Sequence, residues 1–305
     1  MNPPGVAAVV VSYHPESEAL AQLLAALAPQ VQAIVVVDNA SPAPPRVPAP
    51  ARLIRLGRNE GVARAQNLGA QAAFEGGARF VLLLDQDSLP APDMVAQMRR
   101  VVDDAAAQGL RVAAAGPLIV DPAGGSEGFV RFRDGRYVAI APAAAERWID
   151  CDLLIASGTL IPRAAWEDIG PMAEELFIDK VDTEWCLRAA WRGWRLIGVP
   201  GARLRHRLGQ RQIRVWFGRW RHLALHQPFR YYYIWRNGLL LRRCPHATAA
   251  WKRADARQLL SLLLYFGMLA SGRWARLRMM GRGLVDGWQG VDGPRPADVG
   301  RPTAP

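Results

Sequence analysis

The chain has 305 residues, 50% of them hydrophobic, a formal net charge of +11 and 3 cysteines. That length can bury the core of one large domain or two ordinary ones, and the apolar content with 11 Trp excludes a disordered chain. Cys151, Cys186 and Cys244 are widely separated and form no CxxC pair, which excludes a disulfide framework and reads as free thiols in a reducing cytoplasm.

The N-terminal apolar run is short and has no basic region before it, so it reads as a buried strand rather than a signal peptide. In chain order the pattern predicts a strand over 6–12, a helix over 16–27, strands over 33–38 and 52–56, an Ala-rich helix over 61–74, a strand over 80–85, a helix over 94–108 and a strand over 112–116. Continuous apolar strands alternating with helices indicate a mostly parallel sheet covered on both faces. Ligands of such sheets bind at the carboxyl ends of strands, where Ser12, Asp38, Asn39, Asp85, Gln86 and Asp87 all fall. The Pro-rich segment 41–50 reads as a surface loop, and the glycines 124, 125, 128 and 135 predict a hairpin over the site. A strand follows over 149–157 and then Gly158, with helices near 164–169 and 181–192. Beyond Arg203 the pattern is Arg- and aromatic-rich helix. The apolar stretch 259–269 is interrupted by Ser261 and Gly267 and is shorter than the ~20 residues a spanning helix needs. Flanked by arginines, it fits either a membrane interface or a core helix.

Charge divides the chain. Residues 1–202 hold 18 Lys and Arg against 23 Asp and Glu, whereas residues 203–305 hold 20 against 4. A basic C-terminal third on a mildly acidic body indicates an anionic partner: nucleic acid, a membrane surface or a phosphorylated substrate.

Four local patterns carry chemistry. In LLLDQDS, Asp85 and Asp87 stand one residue apart at the mouth of a buried strand, where they repel and lose solvation. A Mg2+ or Mn2+ ion bound between them offsets both costs. In RNEGVARAQNLG, Asn59 suits a helix cap, and Gly61 allows close approach of a ligand or a neighbouring segment. In LFIDKVDTEWCLR, Asp182 and Glu184 sit in a first helical turn, positioned either to cap the helix or to accept a proton. In RLRHR, the arginines around His206 favour a neutral imidazole, able to ligate a metal or contact phosphate.

The succession VVVSY, VVVDNAS, RNEGVARAQNLG, LLLDQDS, SGTL, FIDKVDTEWCLRA and His206 resembles the family 2 glycosyltransferases of GT-A fold, and DQDS with LFIDKVDTEWCLRA resembles their rhamnosyltransferase branch. The segments PFRYYY at 228–233 and RNG at 236–238 fit the same branch, so the resemblance spans roughly residues 6–290. It implies an α/β, Rossmann-like GT-A domain over 1–206 and a basic, Trp-rich helical extension over 207–305. It also implies dTDP-L-rhamnose as donor, with Ser12, Tyr13, Asp38, Asn59, Gly61, Asp85 and Gln86 lining the nucleotide-sugar pocket. Asp87 and His206 would hold Mg2+ or Mn2+, Asp182 would be the general base of an inverting displacement, and Asp179, Glu184 and Gly158 would support it. Val181 stands where the family commonly has Glu, a change the rhamnosyltransferase branch shares. The QxxRW motif of processive synthases is absent, which favours addition of one sugar per encounter.

The acceptor implied is a lipid-linked saccharide of O-antigen or cell-surface polysaccharide synthesis, met by a peripheral protein on the cytoplasmic face of the membrane, with a rhamnolipid precursor as the alternative. A nucleic-acid protein would use Trp216, Trp220, Trp235 and Trp251 for stacking but leaves Asp85, Asp87 and Asp182 without a purpose, so no nucleic-acid partner is expected. A sugar nucleotidyltransferase would carry a Gly-rich basic N-terminal loop, which VVVSYHPESE is not.

Overall fold

Uninterrupted runs of Val, Ala, Ile and Leu are satisfied where both faces of a strand are covered, and here they form the centre of the sheet. The computed structural model describes residues 5–120, 126–142, 146–206, 211–216, 220–269, 272–295 and 297–298. The first half contains β1 (Val6–Ser12), α1 (Ser17–Leu27), β2 (Ala33–Asp38), β3 (Arg52–Arg55), α2 (Gly61–Glu75), β4 (Phe80–Asp85), β5 (Leu89–Pro90), α3 (Met94–Ala107) and β6 (Val112–Val120). Then follow β7 (Ser126–Glu127), β8 (Phe129–Arg133), β9 (Arg136–Ile140), β10 (Ile149–Cys151), β11 (Leu160–Pro162), α4 (Arg163–Ile169) and α5 (Val181–Trp191). The chain continues with β12 (Arg195–Arg205), β13 (Arg211–Trp216), β14 (Trp220–Leu225), α6 (Pro228–Arg242), α7 (Ala249–Leu262) and α8 (Arg273–Gln289). A 3-10 turn covers Glu174–Leu176, and a π-helical segment, Leu263–Leu269, continues α7.

The main sheet has the order β10-β12-β6-β11-β4-β1-β2-β3, with β5 on β12 and β7 on β6. Strands β3, β2, β1 and β4 are mutually parallel, β6 and β12 are parallel, and β11 is antiparallel to both its neighbours. Alternate residues of β1 and β4 enter separate cores. Val6, Ala8, Val10, Leu82 and Leu84 pack with Leu20, Leu23 and Leu27 of α1 and Met94, Met98 and Val102 of α3. Ala7, Val9, Val81 and Leu83 pack with Ala70, Phe74, Trp166 and Trp185 of α2, α4 and α5. Helices therefore cover both faces of a mostly parallel sheet, as the period-2 strands and period-3.6 helices require.

Two expectations need correction. The strand expected over 149–157 is only the three residues of β10; the chain then leaves the sheet through a single bridge from Leu153 to Val130 of β8. Beyond Arg203 the chain is not helix at once: β12 runs to Arg205, and β13 and β14 form an antiparallel ribbon before α6. Aromatic and β-branched residues suit that ribbon as well as a helix, and pairing decided between them. The expected hairpin is β8–β9, which packs on α7 through Arg257, whose guanidinium reaches the carbonyl of Gly135 at 3.1 Å. Gly124, Gly125 and Arg207 lie outside the described residues.

Helix α6 is buried on nearly every side, with Tyr231, Tyr232, Tyr233, Arg236, Asn237 and Leu241 all enclosed. Helix α8 lies along it, because Gly283 and Gly287 admit its backbone: a Cβ on Gly283 would stand 2.4 Å from the Tyr232 carbonyl oxygen. Trp251, which a nucleic-acid-binding protein would need for stacking, is fully buried, whereas the side chains of Trp216 and Trp220 lie outside the described part.

Candidate active site

Parallel register brings the chemistry together. Ser12 of β1 pairs with Asp38 of β2, and Val11 pairs with Asp85 of β4, so three polar strand ends form one rim. Asp38 is fully buried and accepts from the hydroxyls of Ser12 (3.3 Å) and Ser41 (2.5 Å) and from the Ser41 amide (3.1 Å). The amide of Gln86 clamps Tyr13 from both sides, accepting its N–H at 2.7 Å and donating to its carbonyl at 3.1 Å. The expected pocket residues on this rim therefore include two bonded pairs, Ser12 with Asp38 and Tyr13 with Gln86.

Asn59 acts on the start of α2 as part of a pair rather than as a simple cap. Its Oδ1 accepts from Asn39 Nδ2 (2.8 Å) and from the Gly61 amide (3.1 Å), while Asn39 Oδ1 accepts the Glu60 amide (2.8 Å). Gly61 has φ +86, and a Cβ there would lie 2.5 Å from the Phe177 carbonyl oxygen. The glycine thus lets α2 approach the loop leading to Asp182, and Val62 donates to the same carbonyl at 2.8 Å.

Asp85, Asp87 and His206 converge so that one ligand atom of each lies within 4.8 Å of the others. His206 Nε2 is 3.8 Å from Asp85 and Nδ1 is 3.6 Å from Asp87. The imidazole is buried and oriented by Ser88 Oγ at 3.0 Å, which in turn meets Ser157 Oγ at 2.6 Å. Ser157 also accepts the Asp85 amide at 3.1 Å, and Gly158, with φ +87, sits where a Cβ would stand 2.7 Å from side-chain atoms of both Pro117 and Leu204. Asp85 is half-buried, and loss of hydration pushes its carboxyl up, with His206 opposing the rise and Asp87 adding to it. Two hard carboxylates and one imidazole, with a divalent cation relieving their repulsion, form a donor set that fits Mg2+ or Mn2+.

The second cluster is the loop before α5. Phe177, Asp179 and Lys180 all have positive φ, near +61 to +65, although none is Gly. Such backbone costs on the order of 1–3 kcal/mol per residue and persists where surroundings enforce it. Helix α6 supplies that enforcement. Asn237 Nδ2 lies within 2.8–3.0 Å of the carbonyls of Leu176, Ile178 and Asp179, and Arg236 donates to Leu176 at 3.1 Å. Arg230 donates to both oxygens of Asp179, at 2.5 and 3.2 Å. Lys180 pairs at 2.6 Å with fully buried Asp255 of α7, which Arg242 also meets at 3.0 Å.

Asp182 follows that loop. Its Oδ1 accepts from the Thr183 amide at 2.7 Å and hydroxyl at 3.4 Å. Burial raises its carboxyl above the ordinary range, the Thr183 amide opposes the rise, and Asp179 adds to it. The charges of Arg230 and Asp182 reach Asp85, and those of Asp85 and Asp182 reach Arg230, so the two clusters lie close to one another. Glu184 lies elsewhere: its carboxylate is buried between Arg188 (2.8 Å) and His246 (3.1 Å), and although burial works against ionisation, these partners hold it below its usual range. Sequence reasoning passed over Arg230, Arg236 and Asn237 as site residues. Their signal was present in PFRYYY and RNG, but their partners lie more than 50 residues upstream.

A sheet of this topology, with an Asp-x-Asp pair and a histidine at its strand ends and a half-buried carboxylate near them, has the arrangement of glycosyltransferases of GT-A fold. Residues 8–118 match the sequence profile of Glycosyl transferase family 2. Over 300 residues it is 29% identical to the dTDP-rhamnosyl transferase RfbF of Shigella flexneri, covering 94% of this chain and 96% of that protein. Among solved structures, S. aureus TarS 1-349 in complex with UDP-GlcNAc aligns with TM-score 0.55 and 16% identity, over 95% of this chain and 82% of that one. GalNAc-T7 with UDP, GalNAc and Mn2+ aligns with TM-score 0.55 and 14% identity, over 85% of this chain; the chain spans 55% of its length. At such identities the structures show the shared fold alone.

Proposed function

We propose that the protein transfers L-rhamnose from dTDP-L-rhamnose, with inversion, to a hydroxyl of a lipid-linked saccharide in O-antigen or cell-surface polysaccharide synthesis. The observation that carries this reading is the likeness to a dTDP-rhamnosyl transferase along nearly the full length of both chains. Ser12, Tyr13, Asp38, Asn59, Gly61, Asp85 and Gln86 would line the nucleotide and ribose. Asp87 and His206, with Asp85 beside them, would hold the metal ion, Mg2+ or Mn2+. When bound, that ion supplies positive charge against the leaving diphosphate.

The chain's own residues do the rest. Asp182 takes the proton of the acceptor hydroxyl as its oxygen forms a bond to the anomeric carbon and the bond to the diphosphate breaks. A raised carboxyl is a stronger base than a solvated one, and the helix N-terminus beside it supports its ionised form. Arg230, through its pair with Asp179, would hold the strained turn that precedes Asp182. Residues 207–305 we read as the part that meets acceptor and membrane. No helix among the described residues is long and apolar enough to cross a bilayer, which fits a peripheral association with the cytoplasmic face.

Purified protein incubated with a panel of nucleotide sugars and membrane extract tests the reading. Consumption of dTDP-L-rhamnose with a product heavier by one deoxyhexose supports it. Turnover of another donor instead, or of none, overturns it. A product found on a fatty-acid ester rather than a glycan would move the acceptor to a rhamnolipid precursor.

A further inference from the structure

Folding accounts for one side of α8 and leaves another side exposed. Arg276, Met280, Gly283 and Gly287 form its inner seam, all buried, and Met280 packs with Tyr231 and Phe266. About a third of a turn from that seam, Trp274, Leu277, Gly281, Leu284 and Trp288 follow one another at three- and four-residue spacing on a single stripe, with Val285 beside Leu284. Trp274 and Trp288 are 74% and 75% exposed, and Leu284 and Val285 are 44% and 52% exposed. Contiguous apolar surface of this kind marks a contact with something outside the chain.

The charges beside the stripe identify that contact. Arg278 and Arg282 border it and are exposed, and Arg273 at the head of the helix places its guanidinium 5.7 Å from the Trp274 ring centroid. The lone acid of α8, Asp286, is turned inward, accepting from the Tyr232 hydroxyl at 2.7 Å and meeting Arg282 at 3.7 Å. A second copy docked through the same stripe would set these arginines against their counterparts. An anionic bilayer complements them.

We propose that α8 is an interfacial anchor that lies in the headgroup layer of an anionic membrane, with Trp274, Leu284, Val285 and Trp288 at the acyl boundary and Arg278 and Arg282 on lipid phosphates. With Arg276, Met280, Gly283 and Gly287 committed to the protein, the helix lies on the bilayer rather than across it. Its neighbour α6 carries Arg230 into the active-site cleft, so docking would hold that cleft close to the surface where a lipid-linked acceptor resides. The placement of the acceptor rests on the transferase reading; the anchor itself does not.

The test is co-sedimentation of the full chain with phosphatidylcholine vesicles, with and without phosphatidylglycerol. Three proteins are compared: wild type, Trp274→Ser with Trp288→Ser, and Arg278→Gln with Arg282→Gln. Wild type should pellet with the anionic vesicles and be released by salt. The tryptophan pair should weaken partitioning by at least about tenfold, and the arginine pair by roughly tenfold or more. Melting temperature and dTDP binding by calorimetry should stay unchanged, because these side chains are exposed and none lines the donor pocket. Wild type remaining in the supernatant, equal pelleting of all three proteins, or a dimer in sedimentation equilibrium that the tryptophan pair dissociates would each overturn the anchor. Vesicle binding without donor turnover would retain the anchor and remove the transferase reading, and the reverse result would do the opposite.

Discussion

Replacing Asp182 by Asn separates chemistry from structure. The amide Oδ1 can keep both bonds that the carboxylate makes, to the Thr183 amide at 2.7 Å and to its hydroxyl at 3.4 Å, so the start of α5 should hold. What disappears is the ability to take a proton. A positioned general base contributes about 10²–10⁴-fold, equivalent to about 3–5 kcal/mol of activation free energy. Stability should move the other way. Burial raises the Asp182 carboxyl, so the folded chain holds that proton more tightly than the unfolded chain. Stability is therefore lost as pH rises from the ordinary aspartate range through the raised value, and at neutral pH the ionised group is a burden that Asn removes. The variant should melt at or above the wild-type temperature, bind dTDP as wild type does, and turn over dTDP-L-rhamnose at least about a hundredfold more slowly. In wild type, turnover should rise with pH through a value above the ordinary aspartate range, with that limb missing from any residual activity of Asn. Donor consumption, calorimetry with dTDP and a thermal melt read all of this. A variant rate within about tenfold of wild type would refute the assignment of Asp182 as base.

Asp87→Ala should abolish Mn2+ binding in titration calorimetry and turnover with it, and chelation of wild type should do the same; chelator-resistant turnover would contradict the Asp85–Asp87–His206 site. Arg230→Ala leaves Asp179, whose side chain is 10% exposed, without the partner that meets it at 2.5 Å. Breaking such a pair costs about 3 kcal/mol, read as a melting temperature lowered by several degrees, with turnover falling as the turn relaxes. Arg230→Lys should recover part of both. Gly283→Leu forces a side chain onto the Tyr232 carbonyl and should cost about 1–3 kcal/mol by thermal melt, whereas Gly281→Ala, with no atom within 4 Å of the added Cβ, should be neutral or stabilising. Equal melting of the two would mean that α6 and α8 do not pack as described.

The sequence by itself determined what depends on neighbours along the chain. The apolar runs ending in Ser12, Asp38 and Asp85 have strand periodicity, and the Ala-rich stretch after Gly61 has helical periodicity, so the α/β order and the polar strand ends were readable. Tertiary structure decided what depends on segments that meet only after folding. Nothing local tells β11 to enter the sheet antiparallel between β4 and β6, or tells 211–216 and 220–225 to pair as a ribbon rather than wind into helix. Nothing local buries Trp251 while leaving Trp274 and Trp288 in solvent, since tryptophan is compatible with both and packing selects. His206 reaches Ser88 across 118 residues, and Arg230 reaches Asp179 across 51. The strained turn before Asp182 exists because Arg230, Arg236 and Asn237 hold its carboxylate and carbonyls from α6, and no preference of residues 177–180 alone would sustain it.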